Sequence, residues 1–428
     1  MDITGRKLFV KALEEEGVDT IFGYPGGTVT DLFDELYKND NIDLVLPRHE
    51  QGLIHEAEGY AKSTGKVGVC LVTSGPGATN IITGLADAHY DSIPLVCFTG
   101  QVPLSLIGND AFQEVDIVGI TRSITKYGVT VRDRKELGKI IKMAFHIAQT
   151  GKPGPVLVDI PKDIQTATGS SDYPDHVDIR GYKINESVHI GQLKKAYKLL
   201  KSAQRPLILA GGGINISRAN KELLEFATKM NVPVVTTVMG RGAVPTTADI
   251  YVGSSGLHGK YAANLAVSEC DVLFSIGTRF NDRITGDLNE FAPKAKIVHI
   301  DIDTSSISRN VVVGSVFEDD DNSTVCVIHA YRIYQEDNRV FYNELDKGFK
   351  SIVEKEKHND EYNKFIENNA PSLNEFLESI SYDFELSHSK HTSDSGLEPN
   401  RHVFQRNYKI KLPYGITIKQ LEVFENEW

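Results

Sequence analysis

Three glycine-rich turns and one glutamate are the residues of this chain whose type and spacing could do chemistry. Gly23-Tyr24-Pro25-Gly26-Gly27, Ser74-Gly75-Pro76-Gly77 and Gly211-Gly212-Gly213 each follow a short apolar run. Glycine at such a turn lets backbone amides approach a ligand, and the helix start beyond it favours an anion. A plain tight turn between strand and helix accounts for any one of them taken alone. None ends in the Gly-Lys-Ser/Thr of a phosphate-binding P-loop. Gly211-Gly212-Gly213-Ile214-Asn215-Ile216 lacks the last glycine of a nicotinamide-dinucleotide fingerprint. Glu50, in Arg48-His49-Glu50, sits between a strand at 44–46 and an apparent helix. A carboxylate there is either a helix-dipole partner or a catalytic group. His49 and His55 have no metal-type partners at suitable spacing, so no metal role is expected for them. No Gly-x-Ser-x-Gly, His-Glu-x-x-His or Cys/His cluster occurs, which removes support for hydrolytic triads and zinc chemistry.

The elements that must position these residues are short β-branched runs alternating with helix-period segments. Strands are predicted at 19–23, 67–73, 95–99 and 156–160, and helices at about 4–16, 49–64, 77–91 and 134–149. Alternation of this kind predicts βαβ units around a parallel sheet. The first domain runs over 1–168, and 169–190, rich in Gly, Ser, Asp and Tyr, reads as a linker. A second α/β pattern covers 191–313, with strands at 207–210, 232–237, 272–276 and 296–300 and a helix near 217–230. The fold class expected is α/β, with two doubly wound parallel-sheet domains followed by an unassigned acidic segment, 314–428. In that segment the strand–glycine–helix rhythm is lost. A helix is plausible near 339–367, and 381–400 reads as loop.

The 428 residues suggest about three domains at roughly 150 residues each. A composition 40% hydrophobic and 24% charged excludes collagen-like, mucin-like and wholly disordered chains. The net charge is −12, which argues against binding a nucleic-acid backbone. Residues 314–428 hold 22 acidic and 13 basic groups, a net of −9, against 36 and 33 in residues 1–313, a net of −3. Cys70, Cys97, Cys270 and Cys326 show no paired spacing and read as thiols in a reducing compartment. No apolar run approaches the roughly 20 residues of a membrane helix. The chain enters an amphipathic stretch at Thr4, leaving no room for a leader, so a cytoplasmic protein is expected.

Taken in order, the motifs acquire a joint meaning. Gly23-Tyr24-Pro25-Gly26-Gly27 is followed by Arg48-His49-Glu50-Gln51, then by Thr73-Ser74-Gly75-Pro76-Gly77-Ala78-Thr79-Asn80. Thr99-Gly100-Gln101-Val102-Pro103, Ala111-Phe112-Gln113-Glu114 and Lys152-Pro153-Gly154-Pro155-Val156-Leu157-Val158-Asp159-Ile160-Pro161-Lys162-Asp163 come next. Gly277-Thr278-Arg279-Phe280-Asn281-Asp282-Arg283-Ile284-Thr285-Gly286 and His299-Ile300-Asp301-Ile302-Asp303 continue the series. Over about residues 1–313 this closely resembles the large catalytic subunits of the acetolactate synthase (acetohydroxyacid synthase) family, which are thiamine-diphosphate enzymes. The Arg-Phe-x-Asp-Arg run and the triple glycine resemble its FAD-containing, biosynthetic branch. Asn281 stands where that branch usually has Asp.

The resemblance implies a pyrimidine-binding domain followed by a central FAD-binding domain. Glu50 would bond the coenzyme's aminopyrimidine, so that the coenzyme becomes a carbon nucleophile toward pyruvate. Carbon dioxide then leaves, and the bound fragment joins a second 2-oxo acid, pyruvate or 2-oxobutyrate, on the route to branched-chain amino acids. Gly26 would lie near the reacting centre, with Pro25 and Gly27 shaping its turn. Gln113 and Phe112 would line the substrate side, and Lys126 would stand at the entrance. Gly211, Gly212, Gly213, Thr236, Leu257, His258, Gly277, Arg279, Asp301 and Ile302 would contact FAD, which is chiefly structural in this family. A homo-oligomer, or pairing with a full-length catalytic subunit, is implied, with a small regulatory subunit as a further partner.

The family's third domain binds Mg²⁺ and the coenzyme diphosphate through Gly-Asp-Gly, followed about 30 residues later by Asn-Asn. The chain contains no Gly-Asp-Gly, Asn368-Asn369 has no such partner upstream, and the likeness stops after Val311-Val312-Val313. No metal ligand is therefore assigned, and little synthase activity is expected of the chain by itself. The tail reads as a replaced third domain, an unrelated fused domain or a very divergent third domain. The alternative to an enzyme is a non-catalytic FAD-binding or assembly pseudo-subunit.

Overall fold

Continuous apolar runs with no polar alternation require a sheet covered on both faces, and that is how the chain folds. The structure, a computed structural model, describes residues 2–182, 184, 190–311, 313 and the strand at 327–329. These lie in one compact unit, Met1–Tyr362. The expected tail elements at 339–367 and 381–400, and Cys326, lie outside the described residues.

The first domain runs β1 (Asp2–Thr4), α1 (Gly5–Glu15), β2 (Thr20–Tyr24), α2 (Thr30–Leu36), β3 (Asp43–Val45), α3 (Glu50–Thr64), β4 (Gly68–Val72), α4 (Pro76–Asn80), α5 (Ile82–Asp91) and β5 (Leu95–Gln101). It continues through α6 (Ile117–Thr121), β6 (Tyr127–Thr130), α7 (Leu137–Gln149), β7 (Pro155–Pro161), α8 (Lys162–Thr166) and β8 (Thr168–Ser170). Six strands form a parallel sheet in the order β3-β2-β4-β5-β7-β6. Every residue of β4, β5 and β7 is buried. One face packs on α1 and α7, through Leu8, Phe9, Leu13, Ile141 and Phe145; the other packs on α3 and α5, through Leu53, Ile54, Ala57 and Leu85.

The second domain comprises α9 (Ile190–Ser202), β9 (Pro206–Ala210), α10 (Gly212–Ser217), α11 (Asn220–Met230), β10 (Val234–Thr236) and β11 (Tyr251–Ser254). Then come α12 (Tyr261–Glu269), β12 (Val272–Ile276), α13 (Asp282–Thr285), β13 (Lys296–Asp301) and β14 (Val327–His329). Its sheet, β11-β10-β9-β12-β13-β14, is also parallel throughout. Separate apolar clusters, around Phe274 and around Phe280, mark its two covered faces. Both domains are thus doubly wound.

Several boundaries differ from the sequence reading. The helix expected over 77–91 is two helices, broken at Ile81. The one near 217–230 is preceded by α10, which Arg218 ends in the left-handed region at φ 57°. The supposed linker begins as part of the first domain: β8 pairs antiparallel with β1, and Tyr173, Ile179 and Tyr182 pack on the first core. The second sheet extends past residue 313 by adding β14 beside β13. β6 and β11 escaped notice because each is four residues long and mixes glycine or polar residues with apolar ones.

Candidate functional site

Ligands of open α/β sheets bind beyond the carboxyl ends of the strands, where the strand order reverses. In the first sheet the chain steps from β2 outward to β3, then returns to place β4 on the other side of β2. The turns leaving β2 and β4 are the first two glycine motifs, and they touch. A Cβ on Gly26 would lie 2.5 Å from Thr73 Cβ, and one on Gly77 would lie 2.8 Å from Thr73 Cγ2. Thr28 fastens the pair: its hydroxyl is 3.0 Å from that of Thr73 and accepts the Ser74 amide at 3.0 Å. Gly27 is different, because a Cβ there meets nothing within 4 Å.

Glu50 enters this turn pair from β3. His49 is the extended N-cap of α3, its Nδ1 accepting the Gln51 amide at 3.1 Å. That capping makes Glu50 the first helical residue and turns its carboxylate inward, where it is buried. Oε2 accepts the Asn80 side-chain amide at 3.0 Å. Oε1 lies 3.5 Å from where a Gly77 Cβ would stand. The carboxylate therefore lies against the Gly77 turn, where the missing side chain makes room for Thr73. Asn80 was quoted in the sequence motif but given no role; nothing local to 73–80 reveals that its partner is Glu50.

Gln113 adopts φ 59° and lays its backbone on Gly75, whose Cβ would lie 2.8 Å from the Gln113 carbonyl. Its loop is held from both ends. The Glu114 carboxylate accepts the Ala111 amide at 3.0 Å and the Gly108 amide. Those backbone bonds, from Gly108 first, hold its pKa below the ordinary glutamate value. Gln101 Nε2 donates to the Val115 carbonyl at 2.9 Å and to Asp159 Oδ2 at 3.2 Å. Thr99 and Thr130 hydroxyls complete the Asp159 carboxylate at 2.7 and 3.1 Å. Burial pushes Asp159 up to about 6 in spite of those bonds from Thr99, Gln101 and Thr130. Phe112 stands 86% exposed beside this loop, and Pro25 is exposed on its own turn.

Lys126 is placed apart from this cluster. Its ammonium donates to the Thr150 carbonyl at 2.7 Å and to the Ile147 carbonyl, and lies over the Tyr182 ring. It thereby occupies the carboxyl end of α7, where a cation is favourable.

The second sheet repeats the topology, with its reversal between β9 and β12. Gly211-Gly212-Gly213 leaves β9, and Gly277, at φ 63°, leaves β12. A Cβ on Gly211 would lie 2.1 Å from the Gly277 carbonyl, and one on Gly213 would lie 2.7 Å from Gly277 Cα. A cleft of about 910 Å³ opens here, a size within the roughly 300–1,000 Å³ of cofactor sites. Gly212, Gly213, Leu257, His258, Gly277, Arg279, Asp301 and Ile302 line it. Gly211 and Thr236 do not: Gly211 packs behind on Gly277, and Thr236 is fully buried, within 3.2 Å of the Ser254 hydroxyl. The first domain supplies the opposite wall through 61–65, 90–94, Lys152 and Pro153. Among the described residues, Lys62, Lys152, Arg218, Arg279 and Arg283 face the cleft against Asp91 and Asp301, so it suits an anionic ligand. The Lys152 ammonium closes one side by donating to Asp303 at 2.9 Å.

A buried carboxylate beside two touching glycine turns at one switch point and a cation-lined glycine cleft at the other are the two candidate ligand sites of this chain. Residues 3–120 match the thiamine pyrophosphate enzyme N-terminal TPP binding domain, and residues 193–319 match the thiamine pyrophosphate enzyme central domain. Over these residues the chain belongs to the thiamine pyrophosphate enzyme family. Within it, the chain is similar to acetolactate synthase large subunits. It is 50% identical over 312 residues to the probable large subunit of Methanocaldococcus jannaschii, covering 72% of this chain and 52% of that one. It is 46% identical over 313 residues to the large subunit of Haemophilus influenzae, covering 73% and 55%. The acetolactate synthase of Mycobacterium bovis is 48% identical over 308 residues, covering 72% and 50%. The chain spans about half the length of these curated relatives. Among the described residues no helix is long and apolar enough to cross a membrane.

Proposed function

We propose that residues 1–313 are the pyrimidine-binding and flavin-binding part of an acetolactate-synthase-type enzyme, which decarboxylates pyruvate and joins the remaining fragment to pyruvate or 2-oxobutyrate. The observation that supports this most strongly is Glu50: a buried carboxylate at a helix start, held by Asn80, beside two touching glycine turns. Thiamine diphosphate, when bound, supplies the carbon nucleophile and the electron sink. Glu50 Oε1, on the Gly77 side, is the atom placed to hold a proton and exchange it with the aminopyrimidine ring. Gly26 and Gly77 let the two turns close on Thr73, and so fix the wall that the ring would meet. Gln113 is set against Gly75 to face the oxo acid, and Phe112 supplies apolar surface that excludes water.

The cleft of the second domain takes FAD in a structural role, its cations facing the dinucleotide's diphosphate. We place the Mg²⁺ and diphosphate half of the thiamine site on a full-length catalytic subunit paired with this chain. Complementation tests this. The chain is mixed with a full-length relative whose own glutamate at this position is replaced. Acetolactate formation should appear with the native chain and vanish with Glu50→Gln. The cleft also favours a second reading, a non-catalytic flavin-binding pseudo-subunit. A yellow chain that never restores turnover would establish that reading in place of the first. A chain that stays colourless with FAD would remove the flavin assignment from both.

A further inference from the structure

Away from both glycine centres, α3 and α5 lie side by side and are laced by charged residues at successive turns. Toward the end of the pair, Lys62 on α3 donates to Asp91 on α5 at 3.2 Å, an ordinary ion pair. One turn earlier the corresponding positions carry Glu58 and Asp87, so two carboxylates meet where cation and anion would be expected. His55, three residues before Glu58, completes the group. Its Nδ1 lies 3.1 Å from Glu58 Oε2 and 3.9 Å from Asp87 Oδ2. One ligand atom from each of the three residues falls within 4.8 Å of the others.

Glu58 is only 4% exposed; its carboxyl meets His55 through Oε2 and pairs with the Asp87 carboxyl, while its buried Oε1 accepts from no donor group. Two carboxyls set together in this way hold either a shared proton or a cation between them, and the imidazole of His55 beside them is a ligand for a cation. His55 and Asp87 are part-exposed, so an ion could enter from solvent and keep water on its open positions.

We propose that His55, Glu58 and Asp87 form a binding site for a first-row divalent transition-metal ion, with His55 Nδ1 and one oxygen from each carboxylate as ligands. Metal–ligand distances of about 2.0–2.2 Å put ligand atoms roughly 3–4 Å apart, and side-chain rotation closes the remainder. One imidazole with two carboxylates suits Mn²⁺ to Zn²⁺ better than Mg²⁺ or Ca²⁺, which prefer oxygen alone. The ion would join α5 to the helix whose first residue is Glu50. The sequence reading set aside His55 on local spacing; the third ligand, Asp87, lies on another helix.

The test uses the full-length, untagged chain, stripped with chelator and titrated with Zn²⁺ alone. Equilibrium dialysis should show one ion that is weakened at least about tenfold in His55→Ala and in Asp87→Asn. Thermal unfolding should rise with Zn²⁺ in the native chain and not in the variants. Co²⁺ in place of Zn²⁺ should give a visible absorption band that both variants lose. Folding of the variants is checked by their circular dichroism, both positions being part-exposed. Native chain that takes up no Zn²⁺, or variants that retain the same stoichiometry and affinity, would overturn the assignment and leave the three residues as a hydrogen-bonded cluster.

Discussion

Asn80 donates its side-chain amide to Glu50 Oε2 over 3.0 Å, joining the end of α4 to the start of α3. The bond crosses 30 residues and fixes a buried carboxylate. Removing a partner from a buried charged group costs about 1–3 kcal/mol. Asn80→Ala should therefore lower the unfolding free energy by that amount in urea at neutral pH. Asn80→Asp should cost more, because it sets two carboxylates together. The double variant Asn80→Asp/Glu50→Gln reverses donor and acceptor and should recover most of the loss. If the double variant is as unstable as the sum of the singles, the bond is not what holds Glu50.

Asp159 yields a pH prediction whose sign follows from its burial. Its pKa is 3.8 in an unfolded chain and about 6 when folded. The unfolded state thus releases the proton first. The contribution to stability is complete below about pH 4 and is lost as pH rises through 6. The difference amounts to about 3 kcal/mol at most. Asp159→Asn, which mimics the protonated form, should remove this part of the pH dependence. Urea midpoints for both proteins from acid to neutral pH measure it, and parallel curves would refute the assignment.

Gly26 and Gly27 are adjacent, and both were expected to serve the coenzyme, yet their surroundings differ. A methyl on Gly26 would press into Thr73, while one on Gly27 meets open space. Overpacking of this kind costs about 1–3 kcal/mol. Gly26→Ala should lose that much stability, and Gly27→Ala should stay within about 0.5 kcal/mol. Thr73→Ser, which removes the crowded Cγ2, should rescue Gly26→Ala in part. Equal effects at the two glycines would mean that the turns do not meet as described.

What could be read in advance follows the physics of each signal. β4, β5 and β7 are buried on both faces, so they stand out as unbroken apolar runs. Glycines that bring backbone against backbone were visible as residue types, and Gly211 against Gly277 shows why no other residue serves. The partners that make a site were invisible, because they join distant segments: Asn80 to Glu50, Asp159 to Gln101, Asp87 to His55. Lys126 shows the converse. The cation expected at an entrance also satisfies the carbonyl end of α7, a demand that appears only once that helix has been placed.

The cleft between the two domains makes a last claim testable. Lys152 of the first domain reaches Asp303 of the second at 2.9 Å, with 29% and 20% of the side chains exposed. Burial works against the Asp303 carboxylate, but bonds from Ser305 and Lys152 outweigh it and bring its pKa down to about 2. A carboxylate held down in this way stabilises the folded state above about pH 4, and that stabilisation is lost as pH falls toward 2. The pair is partly open to solvent, so its worth is discounted to about 1 kcal/mol or less, and salt weakens it further. Lys152→Met should cost no more than that, and the cost should shrink at high ionic strength. Since Lys152 also lines the cleft, the flavin assignment proposed above predicts that the same variant releases FAD more readily than native chain in dialysis. A loss of flavin with unchanged melting separates its role toward the ligand from its role as a clasp. Unchanged flavin and unchanged melting would show that the pair does neither.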